Sequence, residues 1–235
     1  MVRLFVDHPL AAGQAVALSR DQSHYLFGVM RLAEGAELRL FNGRDGEFAA
    51  TVARAHKRDG QLVAGARTRP LQRPPDLWLL FAPIKKARTD FIVEKAAELG
   101  AARILPVQTE FTNSERIRQD RLQAHAIEAA EQCGGTFVPE VAPLQRLDRV
   151  LADWPADRTL VFCDESRAGA GQGLGAEMTR AAILIGPEGG FSPRERETLA
   201  ARPFVRTISL GPRILRADTA AVAAIALWQA RFGDW

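Results

Sequence analysis

The chain has 235 residues, 47% of them hydrophobic and 25% charged, with a formal net charge of +3 and an isoelectric point near 9.2. That length holds one large domain, or a small one joined to a medium one, and the balance is that of a globular protein with room for a basic face that meets phosphate. The opening MVRLFVDHPL has no charged leader before a long apolar core, and no apolar run is long enough to span a bilayer. The two cysteines and four histidines lack CxxC or HxxxH spacing, so membrane, disulfide and zinc classes are set aside and a cytoplasmic protein with buried free thiols is expected.

In the first stretch RLFVD alternates as a strand does, ELRLFNGRDGEFAATVARA reads as a hairpin turning over Asn42-Gly43 to Gly46, and QLVAGARTR follows Asp59-Gly60. Between them SRDQSHYLFGVMRL has helical spacing, with Gly35 in the turn beyond it. A small β-barrel over residues 1–72 is expected, near the lower size limit of an independent domain. In LQRPP, Pro70, Pro74 and Pro75 deny both helix and ladder bonding, which places a domain boundary there.

From residue 73 to 235 the pattern changes. Short apolar runs (LWLLFAP, RILPVQ, TLVFCDE, AAILIGP, VRTISL) alternate with helical stretches, among them DFIVEKAAELG and a long helix from Ser114 to Cys133. Continuous apolar runs separated by helices imply a parallel sheet covered on both faces, an α/β domain. GAGQGLG, residues 169–175, reads as a flexible loop.

Ligands of open parallel sheets sit beyond the carboxyl ends of the strands, so the residues after each apolar run are the candidates for chemistry. After AAILI comes Gly186-Pro187-Glu188-Gly189-Gly190-Phe191, and Ser192-Pro193-Arg194-Glu195 opens the next helix as a capping box with proline at its first position. The glycines let backbone approach a ligand closely, or they form a tight strand-to-helix turn. After VRTISL, Ile214 and Leu215 lie between Arg213 and Arg216, which suits a pocket holding an aromatic ring beside phosphate, while Asp218 reads as the N-cap of an Ala-rich final helix. Phe162-Cys163-Asp164-Glu165 ends a third run, its acids holding a ribose or amino group or facing water. GxxxxGK[ST], GxGxxG and GxSxG are missing, which disfavours nucleotide hydrolysis, dinucleotide binding and the commonest hydrolases.

Taken in order, residues 1–7, HYLFGVMRL, the Phe41-Asn42-Gly43 turn, KKARTDFIVEKAAELG, PVQTEFTNSER, GPEGGFSPRE and SLGPRILRADTA resemble the RsmE family of ribosomal RNA small-subunit methyltransferases, in the SPOUT superfamily, over nearly the whole chain. The resemblance implies an α/β fold class with a PUA-like N-terminal β-barrel (1–72) and a methyltransferase domain (73–235) ending in a deep trefoil knot. It also implies methyl transfer from S-adenosylmethionine to N3 of a uridine in 16S rRNA, with the rRNA or small ribosomal subunit as partner, a homodimer, and no metal. Donor contacts carried over are Phe162, Gly186, Pro187, Glu188, Gly189, Gly190, Leu210, Gly211, Ile214 and Leu215; the RNA contacts expected, on residues that equally suit an ordinary solvated face, are His24, Arg31, Lys85, Lys86, Arg88, Arg116 and Arg213. The apolar helix AAVAAIALWQARF supplies the dimer contact or is a core helix only. Two departures stand out: Asp218 replaces the family's glutamate, and Gly135 stands where arginine is common.

Uracil N3 carries a proton that must leave for methylation, so with that acceptor Arg216 is the candidate for stabilising the base or its phosphate and Glu188, Asp218 or Glu131 the candidate proton acceptor. The base must be unpaired or flipped. Two alternatives remain at this point: a non-catalytic rRNA-binding assembly factor, and a related knotted methyltransferase acting on another nucleotide.

Overall fold

The computed structural model describes residues 1–113, 116–168, 173–175 and 178–235. The chain divides into two compact units, Met1–Arg73 with Ala130–Val138, and Pro74–Ala129 with Pro139–Trp235.

In the first unit β1 (Arg3–Phe5), β2 (Ala15–Ala17), β3 (Glu37–Phe41), β4 (Glu47–Arg54) and β5 (Gln61–Arg69) form a five-stranded sheet in the order β1-β3-β4-β5-β2. Alternation sets the faces: Leu38 and Leu40 are fully buried while Glu37 faces out, and Leu40 lies opposite Phe48 across the β3–β4 hairpin. Gly46 adopts φ +94°, and a Cβ there would lie 2.3 Å from the Arg69 carbonyl oxygen, so the turn admits only glycine. Register shifts between β4 and β5 bend the sheet around Leu26, Leu38, Leu40 and Leu62. The expected closed barrel is an open half-barrel, because β1 and β2 end the strand order and do not pair with each other.

The expected helix after Ser19 is α1 (Arg20–Ser23) running into a π-helical turn, His24–Val29, where the Met30 amide donates to the Tyr25 carbonyl at 2.9 Å. Residues 130–138 are tied into this unit by Arg3. Its guanidinium donates to the Ala130 carbonyl at 2.6 Å, the Gly135 carbonyl at 2.7 Å and the Glu47 carboxylate at 2.9 Å, and stacks over Phe41.

The second unit contains β6 (Leu77–Phe81), α2 (Lys86–Glu98), β7 (Arg103–Gln108), most of α3 (Gln119–Cys133), β8 (Glu140–Val141), β9 (Gln145–Arg146), α4 (Leu147–Ala152), β10 (Thr159–Cys163), β11 (Ala181–Ile185), α5 (Pro193–Ala200), β12 (Val205–Ile208) and α6 (Ala217–Phe232). Its sheet runs β12-β10-β11-β6-β7-β8, with β9 paired to β7, and every pairing is parallel. The apolar runs in the sequence are these strands; all five residues of β11 are buried because it pairs on both edges. Helix α3 starts at Gln119, later than the expected Ser114: residues 116–118 are not helical, and Ser114 and Glu115 lie outside the described residues, as do 169–172 of the expected flexible loop.

Arg158 holds the entry ends of three strands together. It is 1% exposed, donates to the carbonyls of Asp76 and Ala181 at 2.9 Å each and to the Asp76 carboxylate at 2.6 Å, and lies 3.7 Å over the Trp78 ring. At the other face α6 packs on α2 and β11, with Trp228 donating to the Met178 carbonyl at 2.6 Å and Gln229 to that of Leu99 at 2.7 Å. The N-cap of α6 is Arg216 and not Asp218, which sits in the first turn, where its negative charge still complements the helix dipole.

Replacing Arg158 by alanine is expected to lower the unfolding free energy by about 3 kcal/mol, since two strand-end carbonyls lose their donor and Trp78 its packing partner. A urea midpoint equal to that of the wild type would contradict this. The thiols separate as well: Cys133 is exposed, whereas Cys163 is buried at the end of β10 and burial pushes its pKa up to about 12. At about pH 8 a disulfide reagent is therefore expected to titrate only Cys133 promptly in the native protein, and Cys163 only after unfolding.

Candidate active site

Strands β10, β11 and β12 lie side by side in parallel, so the segments that leave their carboxyl ends converge. They form a cleft lined by Cys163, Asp164, Glu165 and Ala168 from the first, Ile185, Gly186, Pro187 and Glu188 from the second, and Ser209, Leu210, Gly211, Arg213, Ile214, Leu215 and Arg216 from the third; Ala217 and Ala220 of α6 close it. Side by side in the sheet, three loops distant in sequence make one wall-and-floor arrangement: Leu210, Ile214, Leu215 and Ala220 are apolar, and Asp164 and Glu165 are acidic.

Each loop is held by local chemistry. Ser192 accepts from the Glu195 amide at 3.2 Å and its own amide donates to the Glu195 carboxylate at 3.0 Å, the capping box expected from the sequence. This fixes where the turn before α5 ends. Within it, Phe191 folds back so closely that a Cβ on Gly186 would lie 2.5 Å from its ring, and Phe191 meets Phe162 edge-to-face at 4.8 Å between centroids. Asp164 is 6% exposed; its carboxylate accepts from the Ser166 amide at 3.0 Å, the Ser166 hydroxyl at 2.8 Å and Arg196 at 3.2 Å. Arg196 also pairs with Glu165. In the third loop Gly211 takes φ +114° with open space where a Cβ would stand, and its amide donates to Ser209 Oγ at 3.3 Å.

A second, wider cleft adjoins the first. Ile84, Lys85, Lys86, Arg88 and Asn113 line it together with Glu188, Arg216 and Ala217, three residues that also line the first cleft. Arg88 donates to the Asp218 carboxylate at 3.1 Å, and Thr89 exchanges hydrogen bonds with both backbone groups of Ile84 at 3.0 Å, which holds the start of α2. The cleft is thus cationic on one side and carries the exposed carboxylate of Glu188 on the other.

The residues singled out in the sequence separate accordingly. Gly186, Pro187, Glu188, Leu210, Gly211, Ile214 and Leu215 line the first cleft, with Arg213 and Arg216 at it, and Lys85, Lys86 and Arg88 line the second. Phe162, Gly189 and Gly190 stand outside both linings: Phe162 packs on Phe191, a Cβ on Gly189 would meet Phe111 at 3.2 Å, and one on Gly190 would strike the Glu165 carboxylate at 2.0 Å. Asp218 stands outside both linings and is engaged by Arg88, which lines the second cleft. Glu131 belongs to the first unit, where its carboxylate accepts from the Phe5 amide at 2.7 Å, and Gly135 contributes a carbonyl to Arg3 there. His24 and Arg31 are also in the first unit, both exposed, Arg31 at φ +57°; Arg116 is exposed and lines neither cleft. Ser209, Asn113, Ala168 and the buttress Arg196 were not anticipated: Ser209 and Asn113 lie in the quoted segments SLGPRILRADTA and PVQTEFTNSER but were not singled out there, and Ala168 and Arg196 sit in no pattern that marks them.

Residues 72–229 match the family of RNA methyltransferase domains and residues 18–64 that of RNA methyltransferase PUA domains. The ribosomal RNA small subunit methyltransferase E of Rickettsia conorii is 30% identical over 229 residues, 95% of this chain and 93% of that protein. Among solved structures, the ribosomal RNA small subunit methyltransferase E of Neisseria gonorrhoeae bound to S-adenosylmethionine superposes with a TM-score of 0.89 at 28% identity, covering 100% of this chain and 99% of that one. A Legionella pneumophila protein described as a methyltransferase, solved with bound S-adenosylmethionine, gives 0.86 at 29% identity with the same coverage of 100% and 99%. With a PUA-like first unit and an α/β second unit that carries the paired clefts, this chain belongs to the RNA methyltransferase family.

Proposed function

We propose that the chain transfers a methyl group from S-adenosylmethionine to N3 of a uridine in 16S rRNA of the small ribosomal subunit, with 1–72 as the PUA-like RNA-binding domain and 73–235 as the catalytic domain. The observation that carries this reading is that the two clefts share Glu188, Arg216 and Ala217. In-line transfer needs donor and acceptor on opposite sides of one point, and here an apolar, acid-floored cleft meets a cationic one. The first cleft fits the donor: Leu210, Ile214, Leu215 and Ala220 suit an adenine face, Asp164 and Glu165 suit hydroxyls or an ammonium group, and Gly211 leaves its space open. Relatives solved with this donor support the assignment.

When bound, S-adenosylmethionine supplies a methyl group on a positively charged sulfur. Lys85, Lys86 and Arg88 meet the acceptor's phosphates. Glu188, exposed at the junction, takes the N3 proton, and Arg216 stabilises the negative charge left on the uracil ring. Asp218 acts through Arg88, holding it toward the cleft. The family's trefoil knot would be built from β10 to α6. The homodimer would form on α6, whose Leu227 is 53% exposed, and the reaction would take place in the cytoplasm where ribosomes are assembled.

Leu215→Asp is expected to weaken S-adenosylmethionine binding about 10- to 100-fold by isothermal titration with an unchanged thermal midpoint; unaltered affinity would move the donor elsewhere. Glu188→Gln is expected to slow single-turnover methylation about 10²- to 10⁴-fold, and Asp218→Asn to raise the KM for RNA with little change in the rate at saturation. Full single-turnover rates in both variants would rule out proton transfer to either side chain. Saturable RNA affinity without donor binding would favour the RNA-docking role instead.

A further inference from the structure

The segment between β7 and α3 carries a phenylalanine that neither cleft lining includes. Phe111 is 41% exposed, yet its backbone is stapled on both sides. The Thr109 amide donates to Thr112 Oγ1 at 2.9 Å, the two threonine hydroxyls share a hydrogen bond of 2.8 Å, and the Glu110 amide donates to the Glu195 carboxylate at 2.9 Å. Thr109 and Thr112 are buried, so the bonds between them are shielded from water. Phe111 rests on the glycine loop, its Cβ only 3.2 Å from where a Gly189 Cβ would stand. The chain neighbour of that glycine, Glu188, lines the cationic cleft, and so does Asn113, two residues beyond the ring.

A half-exposed aromatic ring on a hydrogen-bonded turn, two residues from Asn113 in the lining of a cleft that also carries lysines and arginines, combines the two elements that hold single-stranded nucleic acid: a face for a base and cations for the backbone. We propose that Phe111 is a stacking platform for an unpaired nucleobase of the acceptor RNA at the mouth of the cationic cleft, an inference that rests on the reading of this site as an RNA methyltransferase. Stacking there holds the strand while N3 of the target reaches the Glu188–Arg216 junction. Any base offers a π face, so the platform adds affinity without selecting sequence.

The test uses the full chain with a uridine-containing single-stranded fragment of 16S rRNA. Phe111→Ala is expected to raise the KM and the Kd for RNA by about 5- to 150-fold, with kcat and S-adenosylmethionine affinity near wild type. Phe111→Tyr and Phe111→Trp should restore RNA affinity, and the added tryptophan should be quenched on titration with RNA. Phe111→Leu keeps apolar bulk over Gly189 without an aromatic face and should not restore it. Rescue by leucine, or a fall in donor affinity parallel to that for RNA, would reduce Phe111 to a support for the glycine loop and overturn the proposal. Normal methylation with unchanged RNA affinity in Phe111→Ala would also overturn it and leave the methyltransferase reading intact. Aromatic-dependent RNA binding by a wild type that forms no methylated product would uphold the platform and sink that reading instead.

Discussion

Strand β11 is hydrogen-bonded to β10 on one edge and to β6 on the other, although β7 to β10 all lie between β6 and β11 in chain order. A parallel strand in that position has no edge for water to satisfy, so its five residues must be apolar and its ladder complete. Arg158 closes the arrangement from below. One guanidinium reaches the backbone ahead of β6 and the first residue of β11 while its own residue leads into β10, so the three strands start level and their far ends rise together. The clefts follow from that alignment: what leaves the ends of β10, β11 and β12 has nowhere to go but beside one another.

The glycine loop is a scaffold as much as a contact surface. Gly186 makes room for Phe191, Gly190 for Glu165, and Gly189 for Phe111, so three positions that read in sequence as ligand approach are also close approaches within the protein. Removing those Cβ atoms lets the turn before α5 sit tightly against its neighbours, and the capping box then fixes its exit. The consequence is a pre-set position for Pro187 and Glu188, the part of the loop that does face the clefts. Preorganisation of this kind lowers the cost of aligning reactants.

Carboxylates close in sequence character have been given different tasks by their surroundings. Asp164 is buried under three donors, Asp218 is held by Arg88, Glu131 accepts from a strand amide in the first unit, and Glu188 is exposed at the meeting of the clefts. The departure at Gly135 takes on a similar sense: the residue serves the first unit through its carbonyl, which Arg3 requires and which any side chain at that position would leave available.

The sequence by itself determined the longer strands and helices, the proline-marked change of pattern and the loops at the strand ends, because these are written in short-range terms: periodicity, capping residues and backbone-permissive glycines; the short β2, β8, β9 and α4 carry too few residues to show a period. The family, and with it the donor and the RNA, was legible in the order of motifs such as GPEGGFSPRE and LGPRILR. Tertiary structure decided what depends on partners distant in the chain. It decided that the five-stranded sheet stays open, that residues 130–138 join the first unit through Arg3, that Asp218 faces Arg88 instead of capping α6, and that Phe111 lies on Gly189. None of these follows from a local pattern, since a hydrogen bond or a ring contact between remote residues is set only when the sheet order brings them within reach.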